Sequence, residues 1–186
     1  MLKNLLLYRL AIFNILMVAL LGYIGYEGWI AMALAADPTG ICAIIALIFA
    51  VTFGSSANQA WGTAKGLNFM KGLTDRQRRV PPEGKPWTKR MVKIEHIHAA
   101  AGWMAYIGLI GTMIGFLLAL GAIDPASMAT AAGVNALVPK MMASMGVAIW
   151  TTLTGAFFGF WTEVNHMMIR TATHCLAEDE KATWDA

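Results

Sequence analysis

Four long apolar stretches, separated by short polar or basic breaks, set the pattern of this chain, and each predicts a helix. The first covers about residues 9–34 with Glu27 near its far end, and Ala36-Asp37-Pro38-Thr39-Gly40 is a run of breaker residues that turns the chain. The second helix is expected over about 41–61, becoming polar at Ser55, Ser56, Asn58 and Gln59. A basic segment over about 62–95 follows, with Arg76, Arg78 and Arg79 ahead of a proline-rich break between Pro81 and Pro86. The third helix is expected over about 96–123 and the fourth over about 138–166. A connector opening at Asp124-Pro125 lies between them, and a polar, partly acidic tail fills 167–186.

Charge decides what these helices are for. Between residues 99 and 139 the only formal charge is Asp124, and between 141 and 162 there is none. A hydrocarbon core about 30 Å thick makes this demand of a helix of around 20 residues. The chain is therefore expected to be an all-α polytopic membrane protein with four transmembrane helices. Of its 186 residues 58% are hydrophobic and 13% charged, against roughly 45–50% and 25% in soluble domains. That balance excludes disorder, a disulfide scaffold and a large water-soluble enzyme. The net charge of +3 does not indicate nucleic acid, because nine of the fourteen Lys and Arg lie within residues 65–93. Clustered cations beside membrane spans fit cytoplasmic retention, which puts both termini and the basic segment in the cytoplasm and the two short connectors outside. The apolar run over 10–26 is too long for a signal-peptide core, so it is expected to be retained as a span. Trp29, Trp61 and Trp87 read as interfacial anchors. Arg76, Arg78 and Arg79 either hold the segment at an anionic leaflet or dock a protein.

Two stripes of small residues run along the third and fourth helices. One reads Ala101, Ala105, Gly108, Thr112, Gly115, Ala119; the other reads Ser144, Ala148, Thr151, Gly155, Gly159, Thr162, with Thr152 adjacent. Residues three and four apart share a helix face. Close backbone approach along small residues supplies much of the association energy between helices in lipid, so Gly108, Gly111, Gly115, Gly155 and Gly159 are expected to pack helix on helix. The bulky residues Met113, Phe116, Leu117, Trp150, Phe157, Phe158 and Trp161 are then expected to face lipid or outer helices. Thr112, Thr151, Thr152 and Thr154 lie mid-span, and two readings stand for them. Each hydroxyl can bond the carbonyl one turn back and serve packing alone. Together they can also offer oxygen ligands to a hydrated cation or a proton-carrying water. The same spans have no Asp, Glu, Lys, Arg or His at mid-depth, whereas intramembrane proton relays typically use ionisable groups. Proton conduction would therefore need a carboxylate from another chain.

Glu163 and His166, three apart near the end of the fourth helix, either form an acid/base relay at an inner mouth or pair with Arg170 or His96. His96 and His98 lack a third Cys or His ligand on their face, so no metal site is expected from them. No catalytic residues and no cofactor are expected, since no nucleophile, metal set or paired carboxylates converge at one depth. No inverted repeat or broken helix supports a small-molecule transporter.

The segment Gly108-Leu109-Ile110-Gly111-Thr112-Met113-Ile114-Gly115-Phe116 resembles the third span of the MotA branch of the MotA/TolQ/ExbB ion-channel family. Met145-Gly146-Val147-Ala148-Ile149-Trp150-Thr151-Thr152-Leu153-Thr154-Gly155 is similar to that branch's Ala-x-x-Thr-Thr-x-x-Gly signature, and residues 120–125 are similar to its outer connector. The resemblance covers about residues 105–165. It implies a MotA-like fold in which 1–61 form a peripheral helical hairpin, 62–95 a short cytoplasmic segment, 96–166 the pore-lining pair and 167–186 a cytoplasmic tail. It further implies a homopentamer in a bacterial cytoplasmic membrane, surrounding the helix pair of a single-span partner of MotB, TolR or ExbD type whose aspartate accepts the ion. Thr112 takes the third-span threonine position by motif match, and Thr151 and Thr152 the paired fourth-span positions. Thr154 falls where many relatives carry an aromatic. The expected function is proton or sodium conduction coupled to mechanical work, with a non-conducting membrane scaffold as the alternative. Flagellar stator members have a long cytoplasmic region where this chain has only its basic segment. The glutamate that the TolQ and ExbB branch carries ahead of the threonine motif is absent from residues 144–147.

Overall fold

In the computed structural model, the backbone is described for residues 2–72, 86–123 and 130–184, and side chains for 6–65, 92, 94–123 and 130–175. The expectations for Arg76, Arg78, Arg79, Trp87 and the connector at Asp124-Pro125 lie outside the described residues. The described residues form five helices: α1 (Leu2–Tyr26), α2 (Trp29–Ala36), α3 (Ile41–Gly72), α4 (Pro86–Gly121) and α5 (Ala131–Trp184). Four of these contain stretches long and apolar enough to cross a membrane: Leu6–Tyr26, Ile41–Lys65, Ile94–Gly121 and Ala131–Cys175. The all-helical character expected from the charge-free stretches is thus present among the described residues, with four helices long and apolar enough to span a membrane.

Element boundaries depart from expectation in four places. The first apolar stretch is not one helix over 9–34. It breaks at Glu27-Gly28, where Gly28 takes φ 80°, a left-handed conformation with no steric penalty for glycine. The Gly28 N–H closes the end of α1 on the Gly25 carbonyl at 3.0 Å, and the Gly28 carbonyl accepts the Met32 N–H at 3.0 Å to open α2. The second helix continues to Gly72 and the third begins at Pro86, so the basic segment is helical at both ends. Proline suits a first helical turn, where its missing N–H has no partner to lose. The fourth helix begins at Ala131, because the Thr130 hydroxyl oxygen caps the Gly133 N–H at 3.1 Å. It passes through Pro139, which cannot donate to the Asn135 carbonyl, and extends over most of the expected tail.

The chain folds as two compact units that cut across the sequence-consecutive segments. The first comprises Met1–Ala19, Val51–Ala100 and Trp161–Ala186; the second comprises Leu20–Ala50 and Ala101–Phe160. In the first unit Ala60, Ile94 and Ile169 are buried together, with Leu10 packed on them. Polar groups knit the same unit. Trp161 Nε1–H donates to Asn14 Oδ1 at 2.7 Å, and Asn14 Nδ2 donates to Asn165 Oδ1 at 2.9 Å and to the Leu10 carbonyl at 2.7 Å. Trp161 is 1% exposed and meets Phe53 edge-on, so it is core rather than a lipid-facing aromatic. An indole is buried readily once its N–H has an acceptor, and Asn14 supplies one.

In the second unit Ile41, Ile45 and Met104 form the buried centre, with Ile107, Ile114 and Phe158 packed against it. Phe158 stacks on Phe49 with centroids 4.4 Å apart, and Trp29 meets Trp150 edge-on at 6.4 Å. These two aromatics of α5 therefore pack on helices, while Met113, Phe116 and Leu117 stay exposed at 61%, 59% and 67%. Asp37 anchors the start of α3. Its carboxylate accepts the Cys42 N–H at 2.7 Å, the Thr39 N–H at 3.1 Å and the Thr39 hydroxyl. Burial by itself raises the Asp37 pKa, but these donors outweigh it and hold the carboxyl below its ordinary value.

Candidate functional site

Within the second unit, α4 and α5 cross along glycines at backbone contact distance. A Cβ placed on Gly108 would lie 2.9 Å from the Thr151 carbonyl oxygen, and one on Gly115 would lie 2.7 Å from the Ala148 nitrogen. On the facing helix a Cβ at Gly155 would lie 2.6 Å from the Met104 carbonyl, and one at Gly159 would lie 3.1 Å from the Ala101 carbonyl. Gly111 is occluded by the side chain of Thr151, with a built Cβ only 2.5 Å from its Oγ1. The buried stripe of α4 differs in part from the one expected. It runs through Ala101, Met104, Gly108, Gly111, Gly115 and Ala119, leaving Ala105 exposed and Thr112 half-buried.

The four threonines fall into three environments. Thr112 and Thr152 come together from the two helices, and their hydroxyls hydrogen-bond to each other. Each also reaches backbone carbonyls: Thr152 Oγ1 lies 3.0 Å from the Ala148 oxygen, and Thr112 Oγ1 lies 3.2 Å from the Gly108 oxygen. The two hydroxyls have one proton each. When one proton goes to a carbonyl and the other bridges the pair, oxygen lone pairs remain unused. Thr152 is exposed on the chain, so this paired oxygen site is open to whatever lies against it.

Thr151 is placed differently. It is fully buried, and its hydroxyl donates into its own helix, 2.8 Å from the Val147 carbonyl and 3.2 Å from that of Ala148. Thr154 points elsewhere again, with its hydroxyl 3.7 Å from Cys42 Sγ beside an apolar cavity that Leu21, Trp29 and Phe157 also line. Side chains on a helix turn about 100° per residue, so 151, 152 and 154 cannot face one direction. The structure therefore brings Thr112 to Thr152, packs Thr151 into the crossing and sets Thr154 against α3.

The first unit holds the ionisable cluster. Glu163 does not pair with Arg170 or His96, as one reading of the sequence expects. Its Oε2 lies 2.8 Å from His98 Nδ1, and its Oε1 lies 3.7 Å from His166 Nδ1. His96 instead places Nε2 2.7 Å from the Ser55 hydroxyl. The His98 and His166 rings stack with centroids 5.2 Å apart. His166 is 1% exposed, and neither of its ring nitrogens has a hydrogen-bond partner among the described residues. The role of His98 was not legible, because its partners lie more than sixty residues away on α5. Asn14 and Asn165 were missed too, although an amide inside an apolar span is a signal in its own right, since it must find a partner there.

No protein-family model, curated protein or solved structure matches this chain significantly. Fold and site therefore define its class on physical grounds: the described residues are all-helical, four helices are long and apolar enough to cross a membrane, and two of them meet at a glycine-lined crossing.

Proposed function

We propose that the chain is an ion-conducting subunit of a motor complex of the MotA/TolQ/ExbB type. Its termini lie in the cytoplasm of a bacterium, and copies of it form a pentameric ring in the cytoplasmic membrane around the helix pair of a single-span partner. The observation that carries this is the meeting of Thr112 and Thr152. Two hydroxyls from adjoining spans sit together, one exposed, over a glycine crossing that fixes their separation. Spare lone pairs on such a pair suit a hydrated sodium ion or a proton-carrying water. Residues 99–121 and 141–162 contain no Asp, Glu, Lys, Arg or His, so the titrating carboxylate comes from the partner. Ion passage neutralises that carboxylate transiently and lets the partner helices turn within the ring. The driving force is the membrane potential, about 2.3 kcal/mol per charge per 100 mV.

The orientation rests on the basic cluster within residues 65–93. The exposed apolar side chains of the spans, Met113, Phe116, Leu117 and Ile149 among them, suit contact with lipid or neighbouring subunits. Glu163 and His166, at the end of the span nearer the cytoplasmic tail, act in this scheme as an inner-mouth relay.

A second reading is a non-conducting scaffold of the same membrane assembly. Thr151 favours it, because its hydroxyl is satisfied within its own helix and its methyl and hydroxyl fill the space over Gly111. Ion flux into vesicles separates the two. The chain is co-expressed with a single-span partner that carries an aspartate in its apolar segment, and flux is measured for the parent, Thr112→Ala and Thr152→Ala. Loss of flux with an intact oligomer supports conduction. Unchanged flux in both variants, or no flux in the parent complex, supports the scaffold.

A further inference from the structure

We propose that His98, Glu163 and His166 form a binding site for a divalent transition-metal ion of the zinc class, joining α4 to α5 within the first unit. Three observations converge on it. One ligand atom from each residue can be chosen so that all three lie within 4.8 Å of one another. The Glu163 carboxylate stands between the two imidazoles, its Oε2 2.8 Å from His98 Nδ1 and its Oε1 3.7 Å from His166 Nδ1. His166 is 1% exposed with both ring nitrogens unpartnered among the described residues, and its Nδ1 is turned toward the Glu163 carboxylate. A buried imidazole without a hydrogen-bond partner is costly. An ion accepted at one nitrogen removes part of that cost.

The donor set selects the ion. Two imidazoles and one carboxylate suit zinc, cobalt, nickel or copper, whereas calcium and magnesium prefer all-oxygen shells. The spacing of Glu163 and His166 is one helical turn, so α5 presents both toward α4 without distortion. His98 supplies the third ligand and the route of entry, since its side chain is 58% exposed while that of His166 is 2% exposed. Three protein ligands leave a fourth position for water or for a group from another chain. Bound metal ties α4 to α5 through side chains in the first unit, where Ile94 and Ile169 already pack the same two helices. This site is separate from the threonine pair, but it shares Glu163 and His166 with the proposed inner-mouth relay, so in a metal-loaded chain those two side chains serve as ligands rather than as a relay.

The test uses the full-length protein in detergent or nanodiscs, without an oligohistidine tag and stripped of metal with a chelator. Cobalt(II) is titrated while the visible absorption of the tetrahedral ion is followed, and zinc is then counted by elemental analysis. The expected result is one ion per chain and a tetrahedral cobalt spectrum. His98→Gln, Glu163→Gln and His166→Gln are each expected to weaken binding by roughly tenfold or more, while His96→Gln and His174→Gln leave it unchanged. His98→Gln alters an exposed ring, so it reports on the site even where His166→Gln fails to fold. Absence of stoichiometric binding overturns the proposal. So does binding that survives both His98→Gln and Glu163→Gln, because the ion is then held adventitiously elsewhere. A failure here leaves ion conduction standing, since the readout is metal content and not flux.

Discussion

The side chain of Thr151 occupies the place where a Cβ on Gly111 would stand, its Oγ1 only 2.5 Å from that position. This one relationship explains how two spans approach so closely and sets the Thr151 side chain inside their crossing.

Gly111→Ala is expected to destabilise the α4–α5 crossing by about 1–3 kcal/mol, the usual cost of overpacking. Gly155→Ala should act similarly, because its Cβ would lie 2.6 Å from the rigid Met104 carbonyl. Gly54→Ala meets nothing within 4 Å and should be neutral or stabilising, by up to about 1 kcal/mol. Thermal melts in detergent check all three, and equal effects at the three sites would contradict the crossing.

Thr152→Ala is expected to change stability little, since interhelical hydroxyl bonds average about 0.6 kcal/mol. If the chain conducts as proposed, the variant should nevertheless lower ion flux by roughly tenfold, a barrier increase of about 1.4 kcal/mol. Thr151→Val keeps the shape of the buried side chain but loses its bond to Val147, and should spare flux more than Thr152→Ala does. The opposite order in vesicle flux would reassign the pathway to Thr151.

Trp161→Phe removes the N–H that reaches Asn14 at 2.7 Å. It leaves a half-buried amide oxygen with one donor fewer, at an expected cost of about 1 kcal/mol. Asn14→Leu should cost at least as much, because Trp161 Nε1 and Asn165 both lose their partner. Melting curves of the single and double variants test this, and the effects should be less than additive because one network is involved.

Asp37 gives the chain an acid dependence whose sign is fixed by its lowered pKa. A carboxyl with a folded value below its unfolded value stabilises fully above the unfolded value. That contribution is lost as the pH falls through the folded value. Asp37→Ala is expected to cost about 1 kcal/mol, as for other helix-capping residues, when measured at neutral pH. The gap between the two melting temperatures should hold down to about pH 5 and close in stronger acid. A gap that widened on acidification would refute the assignment.

Much of the fold was legible because crossing a membrane is a one-dimensional constraint. A length of chain either carries charges or does not, and residues 99–123 and 141–162 do not. The small-residue stripes were legible for the same reason, since a helix repeats every 3.6 residues whatever surrounds it. The break at Gly28 was not, because glycine adopts helical and left-handed backbone almost equally readily, so the residue alone does not say which it takes inside an apolar run.

Sequence alone determined that this chain is a set of apolar helices with glycines placed for close packing and threonines set among them. Tertiary structure decided the rest: which threonine meets another and which is locked in a crossing, that Trp161 is core, and that His98 stands beside Glu163 and His166. Spacing along a chain sets the face on which a side chain lies, but the residue opposite is chosen by the rotation of a neighbouring helix. No local pattern records that rotation; only the packing of distant segments fixes it.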